Sequence, residues 1–177
     1  MANWGNCDYK QLQRLRDNLA KLQKMDMDRF CTEVSRALAA RLLTLVIPRT
    51  PVGQYPKESG KKGGTLRRGW TAKTQEEAAG GENNGTGAKA YAEALPVTKS
   101  GSTYTIEVIN PVEYASYVEF GHRQEPGRYV PAIGKALKRA WVPGQYFLTL
   151  SEQDLERLAP GVIERKLEKL LREVFNG

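Results

Sequence analysis

A chain of 177 residues that is 40% hydrophobic and 27% charged has the composition of a soluble globular protein and the length of one domain around a single core. Its longest apolar run, Leu42 to Ile47, falls far short of the roughly 18 residues of a membrane span, Met1-Ala2-Asn3-Trp4 does not read as a secretory head, and Cys7 and Cys31 are expected as reduced thiols, so membrane, secreted and disulfide-framework classes are set aside. The net charge of +7 is unevenly spread: residues 48–74 carry +6 and 122–139 carry +4, while 75–121 between them carry −5.

Residues 8–46 read as a long helix, with Leu12, Leu15, Leu19 and Leu22 on one stripe and Phe30, Val34, Leu38 and Leu42 resuming it. Asp26 and Asp28 interrupt the pattern, which predicts a kink or break near Lys24–Asp28, and Pro48 is expected to stop the helix. Residues 48–70 hold three prolines and several glycines and read as a long, extended basic loop, the first place to expect a partner.

Trp70–Thr74 reads as a short strand and 76–88 as a turn-rich connection. A strand over Ala90–Val97 should pair through Thr98-Lys99-Ser100-Gly101 with Thr103–Ile109, the best strand in the chain, as an antiparallel hairpin. Asn110-Pro111-Val112-Glu113 then predicts a short helix over 111–120, with Asn110 as cap, Pro111 in the first turn, Glu113 returning a bond to the cap, and Gly121 ending it. Tyr114, Tyr117 and Phe120 crowd this helix, either as core or as an inter-subunit surface. Residues 122–150 are basic and punctuated by Pro126-Gly127 and Pro143-Gly144, ending in a strand at Tyr146–Leu150. A helix over 151–175 closes the chain, capped at Ser151 and restarted or kinked at Pro160. The class is α+β, a single domain over 1–177 with a small, mainly antiparallel sheet.

Little in the sequence suggests chemistry. His122 is the one histidine, with no nucleophile or orienting carboxylate at a telling spacing, and Gly60-Lys61-Lys62 lacks the Ser or Thr and the earlier Gly of a phosphate loop. The acidic residues of 75–121 hold no metal-ligand spacing. No catalytic residue, cofactor or metal is assigned, and the chain is expected not to be an enzyme.

Three stretches carry a resemblance: Thr50-Pro51-Val52-Gly53 running through a basic loop to Leu66-Arg67-Arg68-Gly69-Trp70, then Tyr114-Ala115-Ser116-Tyr117-Val118-Glu119-Phe120-Gly121-His122-Arg123 after the best strand, then Gly144-Gln145-Tyr146-Phe147-Leu148. Over roughly 8–175 the chain resembles the minor tail component, or tail-completion, family of tailed bacteriophages and prophages. It departs from the commonest form in having Gly53 where Asp is usual and a longer basic insertion.

The resemblance implies a non-enzymatic virion protein at the head–tail joint, in host cytoplasm before assembly. It would form a homo-oligomeric ring, a hexamer or other higher oligomer, between the connector or neck proteins and the tail tube or tail terminator. DNA would pass the lumen without being specifically bound, and no membrane is involved. Opposed charge patches on one chain suit head-to-tail contacts between copies. The expected protein-interface residues are Arg49, Tyr55, Lys57, Lys61, Lys62, Leu66, Arg67, Arg68 and Trp70 from the loop and its end, with Tyr114, Tyr117, Glu119, Phe120, His122 and Arg123 from the middle motif. Reversing Arg67 and Arg68 to Glu is then expected to spare the fold and abolish joining. The alternative is a basic nucleic-acid-binding accessory protein, which the charge favours but the placement of the aromatics in the acidic stretch does not.

Overall fold

Helix α2, Met27–Arg49, is the element on which the others are laid. A computed structural model describes residues 9–23, 27–55, 60, 63–80, 87–131 and 134–176. Ala39, Leu43 and Val46 of α2 are buried at spacings of four and three residues, one face of a helix, and against them pack α7 (Phe147–Asn176), α5 (Ala88–Ala94) and a hairpin. Leu66, Trp70, Ala72, Ala78, Ala92, Val112 and Phe147 complete the core. Each large apolar side chain fully withdrawn from water here is worth roughly 1.5–3 kcal/mol.

Within the expected N-terminal helix the structure describes α1 (Tyr9–Gln23) and α2; the predicted kink or break near Lys24–Asp28 falls on residues 24–26, outside the described residues. Pro48 does not stop α2, which runs on to Arg49. A proline costs a helix the bond its own N–H would have made, and only one helical residue follows it here. The next donor, Thr50 N–H, returns to Val46 O at 2.9 Å.

Three further expectations fail. Trp70–Thr74 is no strand: α3 (Thr65–Gly69) ends there, and Thr71 and Ala72 N–H bond back to Arg68 and Gly69 O in tight turns that lead to α4 (Gln75–Gly80). Ala90–Val97 is mostly α5, whose Ala-rich run Ala88-Lys89-Ala90-Tyr91-Ala92 has high helix propensity until Pro96 forbids continuation. Tyr146–Leu150 is not a strand, because α7 begins at Phe147; Ser151 is therefore no cap but a buried helical residue whose Oγ donates to Phe147 O at 2.6 Å. Pro160 lies inside α7 on its exposed side, where the carbonyl it frees can bond to water, and the helix is assigned without interruption over 30 residues.

The fold is α+β, with small antiparallel sheets rather than one. In the first, β1 (Val97–Ser100) pairs with β2 (Thr103–Ile106) around Gly101-Ser102 in the register Val97 to Ile106. A hairpin is found, but not the expected one: β1 consists of Val97 and three residues expected as the turn, the turn falls at Gly101-Ser102, and β2 is shorter than expected. β3 (Gly121–Arg123) pairs with β6 (Trp141–Pro143), and β4 (Tyr129–Val130) with β5 (Lys135–Ala136). The short helix α6 spans Ala115–Phe120. It starts later than the expected 111–120, after Tyr114, which makes no side-chain cap bond, so Asn110 does not cap it: Asn110 Oδ1 accepts Val112 N–H at 3.2 Å in a turn ahead of the helix, and Glu113 N–H donates to Gln75 Oε1 at 2.9 Å. Gly121 follows α6 with φ +87, a conformation L side chains rarely adopt.

Candidate interface and the knot that holds it

The residues that look exposed in the sequence motifs are largely spent inside the molecule. Thr50, fully buried, donates its hydroxyl to Val46 O at 2.7 Å and accepts Trp70 Nε1–H at 2.7 Å. Arg67 closes the same knot: its Nε and Nη2 donate to Thr50 O at 3.0 and 2.7 Å, and Nη2 also reaches Pro48 O at 3.2 Å. A guanidinium placed on carbonyls at a helix C-terminus satisfies orphan acceptors and opposes the negative end of the dipole. Arg68 turns the other way, to Ala78 O at 2.9 Å and Gly63 O at 3.1 Å. Trp70 meets Phe147 edge to face, the ring centroids 6.2 Å apart. Arg49 bonds Ser151 Oγ and pairs with Asp154, tying the end of α2 to α7, and this pairing first, then Arg157, holds the Asp154 carboxyl below the usual carboxylate range.

Of the expected interface residues, then, Leu66, Trp70 and Glu119 are buried, and Arg49, Arg67 and Arg68 are engaged in internal bonds. Arg67→Glu and Arg68→Glu cannot leave the fold untouched, as the sequence alone suggests they would. Lys57, Lys61 and Lys62 lie outside the described residues.

Glu119 shows why the middle motif has its form. Its two carboxylate oxygens accept Leu148 and Thr149 N–H, each at 2.9 Å, and the Thr149 hydroxyl at 2.7 Å. An acidic side chain from α6 thereby caps the N-terminus of α7, replacing the Ser, Thr or Asp that a helix start ordinarily supplies from its own chain. Gln145 and Tyr146 N–H bond to Val118 and Glu119 O at 2.9 and 3.1 Å, locking the same junction, and Tyr146 takes a φ of +51 to enter it. Gly144 packs so closely on the Glu119–Phe120 backbone that any Cβ would collide with it.

Turning Glu119 inward turns its neighbours outward. Tyr114, Tyr117 and Phe120 are 43%, 58% and 59% exposed. They lie at three-residue steps and form an aromatic face on α6. His122, half-buried, sits edge-on to Tyr117 with ring centroids 5.9 Å apart, and exposed Arg123 pairs in register with Trp141. Between α6 and the Pro51–Tyr55 segment lies a pocket of about 230 Å³ bordered by Tyr55, Leu66, Tyr114, Val118 and Gln145. Burial at this pocket, then the nearby Tyr55, raises the Tyr114 hydroxyl above its ordinary pKa.

Sequence reasoning missed Ile109, Trp141 and Tyr146, also exposed on the segments that lead into α6, form β6 and enter α7. The signal available was the bulk of these residues in turn-rich segments, where no helical or strand period would have hidden them. Among the described residues no group of three or more His, Cys, Asp or Glu could hold a metal ion, and no helix is long and apolar enough to cross a membrane.

The geometry defines a small α+β protein in which a buried carboxylate holds an aromatic helix face out to solvent. Residues 13–121 match the family described as "Bacteriophage HK97-gp10, putative tail-component", well over half of the chain, and the chain belongs to this HK97-gp10-like family of phage tail components. No curated protein and no solved structure matches the chain.

Proposed function

We propose that this tail component works at the head–tail interface as a structural, non-enzymatic protein that forms a ring and allows filled heads to join tails. The observation that carries the reading is the aromatic face of α6, exposed on a backbone fixed from behind by Glu119. Large rigid aromatics at low entropic cost are the usual anchors of protein–protein contacts. Charge supports the same reading, since basic and acidic stretches of one chain can meet on neighbouring copies. The nucleic-acid reading loses support, because the guanidinium groups of Arg67 and Arg68 are occupied by backbone carbonyls and are poorly placed to take phosphate.

The test is deletion of the gene in its source particle, with the lysate viewed by negative-stain electron microscopy. Filled or leaking heads lying apart from finished tails are expected. Attached tails of abnormal length would move the protein into the tail proper, and normal infectious particles would overturn the proposal.

A further inference from the structure

We propose that the leucine stripe of α1 docks on the aromatic face of α6 of a second copy of the chain, so that each protomer's first helix forms the joint to its neighbour. The inference rests on the ring reading above and names the surfaces that would make the ring.

Helix α1 stands almost uncovered. Of residues 9–22, only Asn18 and Leu22 are partly shielded, while Leu12, Leu15 and Leu19 are 54%, 49% and 49% exposed along one face. At 15 residues, a helix without a packed face is at the limit of what stands alone in water. Beyond its contact with α7, its stability therefore calls for an apolar surface that the described residues do not provide.

Charge selects the occupant. Around its leucines α1 carries Lys10, Arg14, Arg16 and Lys21 against Asp17 alone. Two such helices paired through their stripes would place Leu12 and Leu19 at one core position and Leu15 and Leu22 at the other. Arg16 is then the one charged flanking residue, so no attractive pair could form across that seam. The α6 face has the opposite character: from Glu107 to Gly121 there is no basic residue, Glu113 is exposed next to Tyr114 and Glu107 is exposed just past β2, with Arg123 on β3 the exposed base beyond the face. Leucines on aromatics provide the apolar contact, and the arginines of α1 meet carboxylates and ring faces. The two surfaces differ, so the contact is heterologous, and repeated copies close into a ring or run on as a filament.

The full-length protein tests this by native mass spectrometry over a range of concentrations. Leu15→Glu with Leu19→Glu removes one surface, and Tyr117→Ser with Phe120→Ser removes the other. Wild type is expected to form oligomers, each variant to associate at least about tenfold more weakly, and an equimolar mixture of the two variants to give a dimer and nothing larger, because each retains one intact half. Should the α6 variant lose its fold, as read by circular dichroism, the surface reversal Glu113→Lys takes its place, and its weakened association should be recovered against Arg16→Glu. An α6 variant that assembles as well as wild type would mean symmetric α1 pairing and overturn the proposal. So would wild type that stays monomeric at every concentration; combined with detached heads and tails in the deletion lysate, that result would sink this contact and leave the head–tail role standing.

Discussion

The knot around Thr50 and the helix α1 are opposites. In the knot every polar group is answered: a buried hydroxyl between Val46 O and Trp70 Nε1–H, and a guanidinium shared between two helix-end carbonyls. In α1, which touches α7, a row of leucines is still about half exposed among the described residues. Both stand in the N-terminal half of the sequence, and both look at first like surface. The difference shows that a basic, proline-rich motif can be an internal brace, while a regular leucine helix, the most ordinary of core signals, can be the part left over for another molecule.

Changes in the knot should therefore cost the fold, and changes in α1 should not. The largest loss is expected for Trp70→Ala, which empties a core position and strips Thr50 of its donor; urea unfolding should show a stability loss of about 3–5 kcal/mol. Arg67→Glu leaves the Pro48 and Thr50 carbonyls without their donor and sets a negative charge at the negative end of α2, for a loss of roughly 1–3 kcal/mol in the same measurement. Glu119→Ala uncaps α7 and should cost a similar roughly 1–3 kcal/mol. Its distinguishing sign is faster hydrogen exchange at the Leu148 and Thr149 amides than in the rest of α7.

A smaller effect belongs to the tie between α2 and the hairpin, where Asp28 accepts Lys99 Nζ at 2.7 and 2.8 Å and also the Tyr104 hydroxyl. The bond from Lys99, then that from Tyr104, lowers the Asp28 pKa, and Asp28 in turn raises that of Lys99. A carboxyl whose folded pKa is depressed binds its proton more readily unfolded, so its contribution is present above the ordinary carboxylate range near pH 4 and is lost as pH falls through the lower folded value. Asp28→Asn should accordingly flatten the melting temperature against pH in that acid window and change its slope little at neutral pH. The smallest effect on stability is reserved for α1: Leu15→Ser should stay within about 0.5 kcal/mol of wild type in urea. A large loss there would erase the contrast and mean that α1 is part of the core.

How much of this was legible in the sequence follows the same division. Local rules found helix over most of 27–46, the strand at Thr103–Ile106 and the positive-φ glycine at Gly121, all decided by neighbours a few residues apart. They set the α2 stripe on Phe30, Val34, Leu38 and Leu42 where Ala39, Leu43 and Val46 are buried, and they put the cap of α6 on Asn110 where Tyr114 precedes the helix. The start of α7 was missed because Tyr146-Phe147-Leu148-Thr149-Leu150 has strand composition and its cap lies 29 residues upstream, in Glu119. Glu119 itself read as a surface charge among aromatics, whereas burial of that one carboxylate is what exposes Tyr117 and Phe120. Arg67 and Arg68 read as a basic patch because nothing local says that a carbonyl waits for them 17 residues back or 10 residues ahead.

The cap on α7 also makes the molecule a lever. Tyr117 and Phe120 sit on either side of the residue that grips the first turn of a 30-residue helix, which at 1.5 Å per residue is about 45 Å long. Toward the far end of that rod, Lys166, Lys169 and Leu170 border a cleft with Arg29 and Phe30 at the start of α2. A push on the aromatic face would pass through the Glu119 bonds to the Leu148 and Thr149 amides and along α7 to the start of α2, so neighbours seated at opposite ends of this helix would be mechanically in series.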